Sequence, residues 1–172
     1  MKIMVTLDGS PFAEAVVEPA AQLAREAKAE VYLVQVLDPS DVHSILSRPS
    51  DYAEDTREAA VRGDPFTNVS SSGAVETSGQ ALERIEKEAK EYLQHVGHRF
   101  DPIQPEAVVL VGEDVDEELV RFAGDQKVDI IAISSHGRTG LRRRFMGSHA
   151  QHLLEHGIAP VLIVRPGRLQ EH

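Results

Sequence analysis

Short apolar runs alternate along this chain with longer stretches in which apolar residues return at every third or fourth position. Residues 1–7 (MKIMVTL) read as a buried strand that ends in the turn Asp8-Gly9-Ser10-Pro11. Ser10 suits a helix N-cap, and Pro11 suits the first helical position, where its missing N–H costs nothing. Val16, Ala20, Leu23 and Ala27 then form one apolar stripe over residues 11–28, with Pro19 inside it predicting a kink or a short first segment. Residues 30–37 (EVYLVQVL) read as a second buried strand. After the interruption at 38–76, helices are predicted over 77–96, 115–123 and 148–156, and strands over 107–111, 128–134 and 160–164. The first of these helices opens on a capping box of Thr77 with Gln80 and buries Leu82, Ile85, Ala89, Tyr92, Leu93 and Val96. The last opens on Ser148 with Gln151 at the same spacing.

Strands that alternate with helices in this way argue for an α/β fold: a single doubly wound domain, a parallel five-stranded sheet with helices on both faces. No internal repeat or domain boundary interrupts residues 1–172, and residues 165–172 read as a frayed tail. Residues 38–76 break the pattern, with Pro39, Pro49, Gly63, Pro65, Gly73 and the run Ser70-Ser71-Ser72 around a weak helical stretch at 52–61. A loop this long in a compact domain tends to be functional or disordered. It leaves the carboxyl end of the second strand, the edge where such sheets bind ligands.

Composition narrows the function. The 172 residues carry a formal charge of -10, which disfavours general nucleic-acid binding. The chain has no cysteine, which excludes disulfides, thiolate metal sites and a cysteine nucleophile and suits a reducing, cytoplasmic setting. The first residues are interrupted too early for a signal peptide, and no apolar run approaches the length of a membrane span, so no membrane insertion is expected.

The chemistry concentrates after the fourth strand. Ser134-Ser135-His136-Gly137-Arg138-Thr139-Gly140 is a glycine-rich strand end, and Gly147-Ser148 then opens a helix. Glycines admit close backbone approach, and a helix start offers N–H groups and a positive dipole end to an anion. The same pattern reads equally as a tight turn followed by a cap. The chain has no G-x-x-x-x-G-K-[ST], so it is not a P-loop NTPase, and no G-x-G-x-x-G follows its first strand.

The run HGRTGLRRRFMGS, followed by IAPVLIVRP and preceded at the amino end by VTLDGSP, resembles the signatures of universal stress proteins. The resemblance spans the chain in order, with residues 38–76 as its variable region. It implies strand order 3-2-1-4-5, which puts the first and fourth strands at the crevice where the order reverses. Members of that family that bind ATP carry G-x2-G-x9-G-[ST]. Here the corresponding residues are Ser134, Gly137, Gly147 and Ser148, with serine in place of the first glycine. The resemblance implies that Asp8 meets the ribose or adenine, Thr6 lines the sugar, Val36 presents backbone to adenine, and Gly112 walls the pocket. Gly137, Gly147 and Ser148 would hold the phosphates, and Ser134, His136, Arg138 and Gly140 complete the candidate set. The ligand implied is ATP, with Mg²⁺ as an accompanying ion and AMP or cyclic AMP as alternatives. A homodimer through the last strand (Val161, Leu162, Ile163, Val164) and an unidentified regulatory protein partner are also expected.

The functional expectation is a stress-response regulator set by nucleotide occupancy. A slow ATPase or autophosphorylating protein, and an interaction module that has lost its nucleotide, are the alternatives. No catalytic residue is assigned; His136 is the best-placed base and equally suits a structural hydrogen bond. His149, His152 and His156 share a helix face that could bind zinc, but they read better as ordinary residues of a helix packed on the sheet, so no metal site is assigned. Arg138, Arg142, Arg143 and Arg144 could screen a triphosphate or simply form a solvated loop. The acids Glu113, Asp114, Asp116, Glu117 and Glu118 are explained by a helix first turn.

Overall fold

The computed structural model describes residues 1–40, 78–135 and 147–166. The expected helical stretch at 52–61, nearly all of the 38–76 loop, the cap at Thr77, residues 136–146 and the end of the tail lie outside the described residues. Five parallel strands form one sheet: β1 (Lys2–Thr6), β2 (Glu30–Leu37), β3 (Glu106–Val111), β4 (Ile130–Ser134) and β5 (Val161–Val164). Their order is β3-β2-β1-β4-β5, the doubly wound arrangement, with the switch point between β1 and β4.

The helices α1 (Val17–Ala27), α2 (Ser78–Gly97), α3 (Val115–Gln126) and α4 (Ser148–His156) cover both faces. Alternation along the strands divides the core into two layers. Ile3, Val5, Leu7, Val31, Leu33 and Ala132 pack with α1 and with Leu93 and Val96 of α2. Met4, Tyr32, Val34, Ile131 and Ile133 pack with Leu119 and Ala123 of α3 and Ala150 and Leu153 of α4. Both faces of the central strands are therefore apolar, which is why β1 and β2 read as near-continuous apolar runs and not as alternating ones.

The first helix departs from its prediction. Residues 11–12 form a turn, Ala13–Val16 a 3-10 segment, and α1 begins only at Val17. Pro19 is the cause, because an α-helix running through it would drive its ring into the carbonyl four residues earlier. Placed in the first turn of α1 instead, Pro19 loses no hydrogen bond. Ser10 is the N-cap of neither the 3-10 segment nor α1, whose N-caps are Phe12 and Val16, but its Oγ accepts the Ala13 N–H at 3.2 Å. The expected capping box at α4 is not formed. Gly147 is the N-cap, in extended conformation, and Ser148 is already helical. Gln151 turns its side chain to Glu155 at 2.8 Å and gives its backbone N–H to the Gly147 carbonyl.

Candidate functional site

The carboxyl ends of the strands bring most of the described candidates to one rim. Thr6 ends β1 beside Val34, and the Leu7 N–H still bonds the Val34 carbonyl at 2.9 Å. Continuing that register sets Asp8 level with Val36. Gly9 follows with φ +81°, a left-handed turn that suits glycine. Asp8 Oδ1 accepts the Ser10 N–H at 2.9 Å, so the carboxylate is fixed over the start of the turn. Thr6 is buried, and Asp8 and Val36 are half-buried.

Across the switch point, Ser134 and Ser135 close β4, both buried. Ser135 is a junction: its N–H donates to Val164 of β5 at 2.8 Å, and its carbonyl accepts the Gly147 N–H at 3.0 Å. The bond between Gly147 and Ser135 ties α4 to β4 and holds the N-terminus of α4 at the end of β4. A glycine N-cap offers no side chain to satisfy the first N–H groups of α4, in contrast to α3, where Asp114 Oδ1 accepts from Asp116 and Glu117, both at 3.0 Å. Two helix starts at the same rim therefore differ: among the described residues a carboxylate caps the one, and no side chain caps the other.

Gly112 lies just beyond β3, with its N–H on the Leu37 carbonyl at 3.1 Å. A Cβ there would come within 2.5 Å of Glu118 Cγ, so glycine is required for the side chain of α3 to fold across the strand end. Glu118 itself pairs with Arg121. The candidates His136, Gly137, Arg138 and Gly140, and the arginines at 142–144, lie outside the described residues.

As expected, α4 packs on the sheet, through Ala150 and Leu153; His149 and His156 are exposed and His152 is half-buried. Asp116 Oδ1 accepts from His149 Nδ1 at 2.6 Å and Asp116 Oδ2 lies 3.9 Å from His152 Nδ1, while the rings of His152 and His156 stack at 4.0 Å. Among the described residues no set of three His, Asp or Glu has the geometry to hold a metal ion.

Two features of the rim were not read from the sequence. Glu14, in the 3-10 segment, accepts from Tyr92 Oη at 3.3 Å and from Arg99 at 3.0 Å, and Arg99 also pairs with Glu18 at 3.0 Å. Burial, and then the negative charge of Glu14, push the Tyr92 phenol well above the ordinary tyrosine value, with Asp8 adding in the same direction. Gln35 of β2 is fully buried, and its side-chain amide finds no partner among the described residues. A shallow concavity of about 390 Å³ lined by Arg25, Lys28, Ala29, Pro102 and Ile103 lies at the amino ends of the strands, away from Asp8 and Gly147. Among the described residues no helix is long and apolar enough to cross a membrane.

A strand-end aspartate on one side of the switch point and a glycine-capped helix on the other meet at the carboxyl rim of the sheet, the edge where α/β proteins of this class bind ligands. The chain belongs to the universal stress protein family, whose model matches residues 1–64 and 51–165. It is 28% identical over 169 residues to universal stress protein MJ0577 of Methanocaldococcus jannaschii, covering 95% of this chain and 94% of the relative. The solved structure of MJ0577 superposes with a TM-score of 0.70 at 22% identity, covering 97% of this chain and 96% of that one. The universal stress protein of Archaeoglobus fulgidus in complex with dAMP superposes at 0.57 with 22% identity, covering 95% and 97%. A universal stress protein in complex with cAMP superposes at 0.54 with 20% identity, covering 97% and 98%. These superpositions establish the shared fold.

Proposed function

We propose that this protein is an adenine-nucleotide-binding regulator, with ATP as its ligand, whose occupancy alters the surface it offers to a protein partner. The observation that carries the reading is the open N-terminus of α4 at Gly147, tied to the end of β4 across the switch point from Asp8. Family members of the same fold in complex with dAMP and with cAMP support an adenine nucleotide as the ligand class. In this reading Thr6 and Asp8 meet the ribose, Val36 presents backbone to the base, and Gly112 walls the pocket. The N–H groups of α4 behind Gly147 and Ser148 hold phosphate, with His136, Gly137, Arg138 and Gly140 around them and Ser134 at the strand end between the two halves of the site. The Ser148 hydroxyl is the contact available to an accompanying Mg²⁺. The protein is cytoplasmic and binds neither nucleic acid nor membrane.

Glycines and a helix start bind ground-state phosphate and favour the transition state little, and uniform binding does not accelerate chemistry. Turnover is therefore expected below about 1 s⁻¹, the low end of enzyme values. Mass spectrometry of small molecules released from the denatured protein, with calorimetric titration of ATP, AMP and cyclic AMP, tests the reading. Neither a released nucleotide nor measurable binding would identify a nucleotide-free interaction module. Faster turnover, lost in a Gly147→Val variant, would identify an ATPase.

A further inference from the structure

Ser134 is buried at the end of β4, 6% exposed, and its hydroxyl donates to the backbone carbonyl of Phe12 at 2.8 Å. The partners are 122 residues apart, so the bond closes no local turn. It runs from β4 to the segment that leads from Asp8 into the 3-10 helix. Strand alternation agrees with this direction. Ile131 and Ile133 face the α3–α4 layer and Ala132 faces the α1 layer, so Ser134, two residues on, faces α1 as well. The hydroxyl therefore reaches beneath the β1–α1 turn.

Two hydrogen bonds within the turn shape it locally. Asp8 accepts from Ser10 N–H, Ser10 accepts from Ala13 N–H, and Gly9 between them sits at φ +81°. These bonds set the form of the turn but not its place on the sheet. The residue after Ser134 performs the matching task for the other half of the site, because the Ser135 carbonyl holds the Gly147 N–H at 3.0 Å. Adjacent residues of one strand thus hold the two segments that carry Asp8 and the start of α4.

We propose that Ser134 is a positioning residue of the nucleotide site: its hydroxyl fixes the β1–α1 turn on the end of β4 and so sets the separation between Asp8 and the phosphate-binding start of α4. The inference rests on the proposed adenine-nucleotide function. A ligand that bridges the two halves gains affinity when their spacing is set before it arrives, since less ordering remains to oppose binding. Serine in place of the motif's first glycine is then a gain of a strap. Glycine at 134 would leave the Phe12 carbonyl without this donor.

The test compares wild type with Ser134→Ala and Ser134→Thr by calorimetry against ATP and against adenosine, and by hydrogen exchange of residues 9–16 without ligand. Ser134→Ala is expected to raise the dissociation constant of ATP, which bridges the two halves, roughly five- to tenfold, the net worth of one hydrogen bond, and that of adenosine, which has no phosphate to reach α4, by less. Exchange in residues 9–16 should accelerate, and Ser134→Thr, which keeps the hydroxyl, should return both readouts towards wild type. Unchanged affinity in Ser134→Ala beside a binding wild type would overturn the inference alone. So would a loss of ATP affinity with exchange in residues 9–16 unchanged, which would assign Ser134 to the phosphates. Absence of binding to wild type would overturn the functional reading beneath it. Should Ser134→Ala not fold, Ser134→Gly removes the same donor and carries the same expectations.

Discussion

At Gly147 the constraint is space and not backbone angle: φ is -60° and ψ 152°, values open to any residue. A Cβ there would lie 3.1 Å from the Ser135 carbonyl oxygen, which also holds the Gly147 N–H. Alanine would ask that carbonyl to give by a few tenths of an ångström, and valine adds two methyls at the same point. Gly147→Val is therefore expected to separate the start of α4 from β4. ATP affinity should fall roughly tenfold or more by calorimetry while thermal unfolding stays cooperative; unchanged affinity would remove Gly147 from the site. Tyr92 supplies a second reading at this scale. Its phenol is held protonated by burial first and by Glu14 second. With the folded pKa raised, the associated stability is whole below about pH 10, the ordinary tyrosine value, and is lost as pH climbs from there towards the folded value. The melting temperature of Tyr92→Phe should fall less steeply than that of wild type above about pH 10, and its absorbance titration should lack the latest-ionising tyrosine. Parallel alkaline limbs would contradict the assignment. Asp8 and Gly147 were legible because turn and cap chemistry is local. The Glu14 cluster was not, since its partners lie 78 and 85 residues away in sequence and Tyr92 reads as one more member of an apolar face.

Among the elements, most bounds fall within a residue or two of expectation, and the main departures are the start of α1 and the end of α3. β1, β2 and α4 announce themselves by apolar runs or a Gly-Ser pair, and β3 and α3 begin within a residue of expectation. α3 runs on to Gln126 because Gly124, Asp125 and Gln126 add a last turn without any apolar residue to signal it. Its end is unmarked as well. The residue that takes the left-handed conformation after α3 is Lys127, at φ 53°, and after α1 it is Lys28, at φ 50°. Both close Schellman motifs. Lys28 and Ala29 donate to Arg25 and Ala24, and Lys127 and Val128 donate to Gly124 and Ala123. A side chain in this conformation is strained, and glycine is not. Lys28→Gly and Lys127→Gly are each expected to stabilise the fold by about 0.5–1 kcal/mol, net of the lost attraction between lysine and the helix dipole. For a chain of this size that is a rise of roughly 1–4 °C in melting temperature by calorimetry. A fall for both would mean that the lysine side chains contribute more at these ends than their backbone strain costs.

At the scale of the molecule, the strand order was implied by the resemblance and not by hydrophobic pattern, since periodicity says which faces are buried but not which strands are neighbours. That order leaves β3 and β5 as the edges. The Ile131 N–H bonds the Pro160 carbonyl, and the Ser135 N–H bonds that of Val164. By alternation, Pro160, Leu162 and Val164 face β4, and Val161 and Ile163 present their N–H and carbonyl groups to the open side. All four residues of β5 are apolar and half-buried, and Leu154 and Ile158 leading into it are 44% and 42% exposed. A bare apolar edge is a pairing hazard unless something covers it, and a second copy in twofold symmetry covers it without leaving a new edge. Wild type is therefore expected to be a dimer by light scattering at micromolar concentration. Val161→Pro removes an outward donor, and proline is tolerated where its ring faces solvent on an edge strand, so this variant should shift the mass to that of a monomer while remaining folded. Val111→Lys changes an exposed residue of the opposite edge, 39% exposed, and should remain dimeric. A monomeric wild type would count against pairing altogether, and a dimer broken by Val111→Lys but not by Val161→Pro would move the interface to β3.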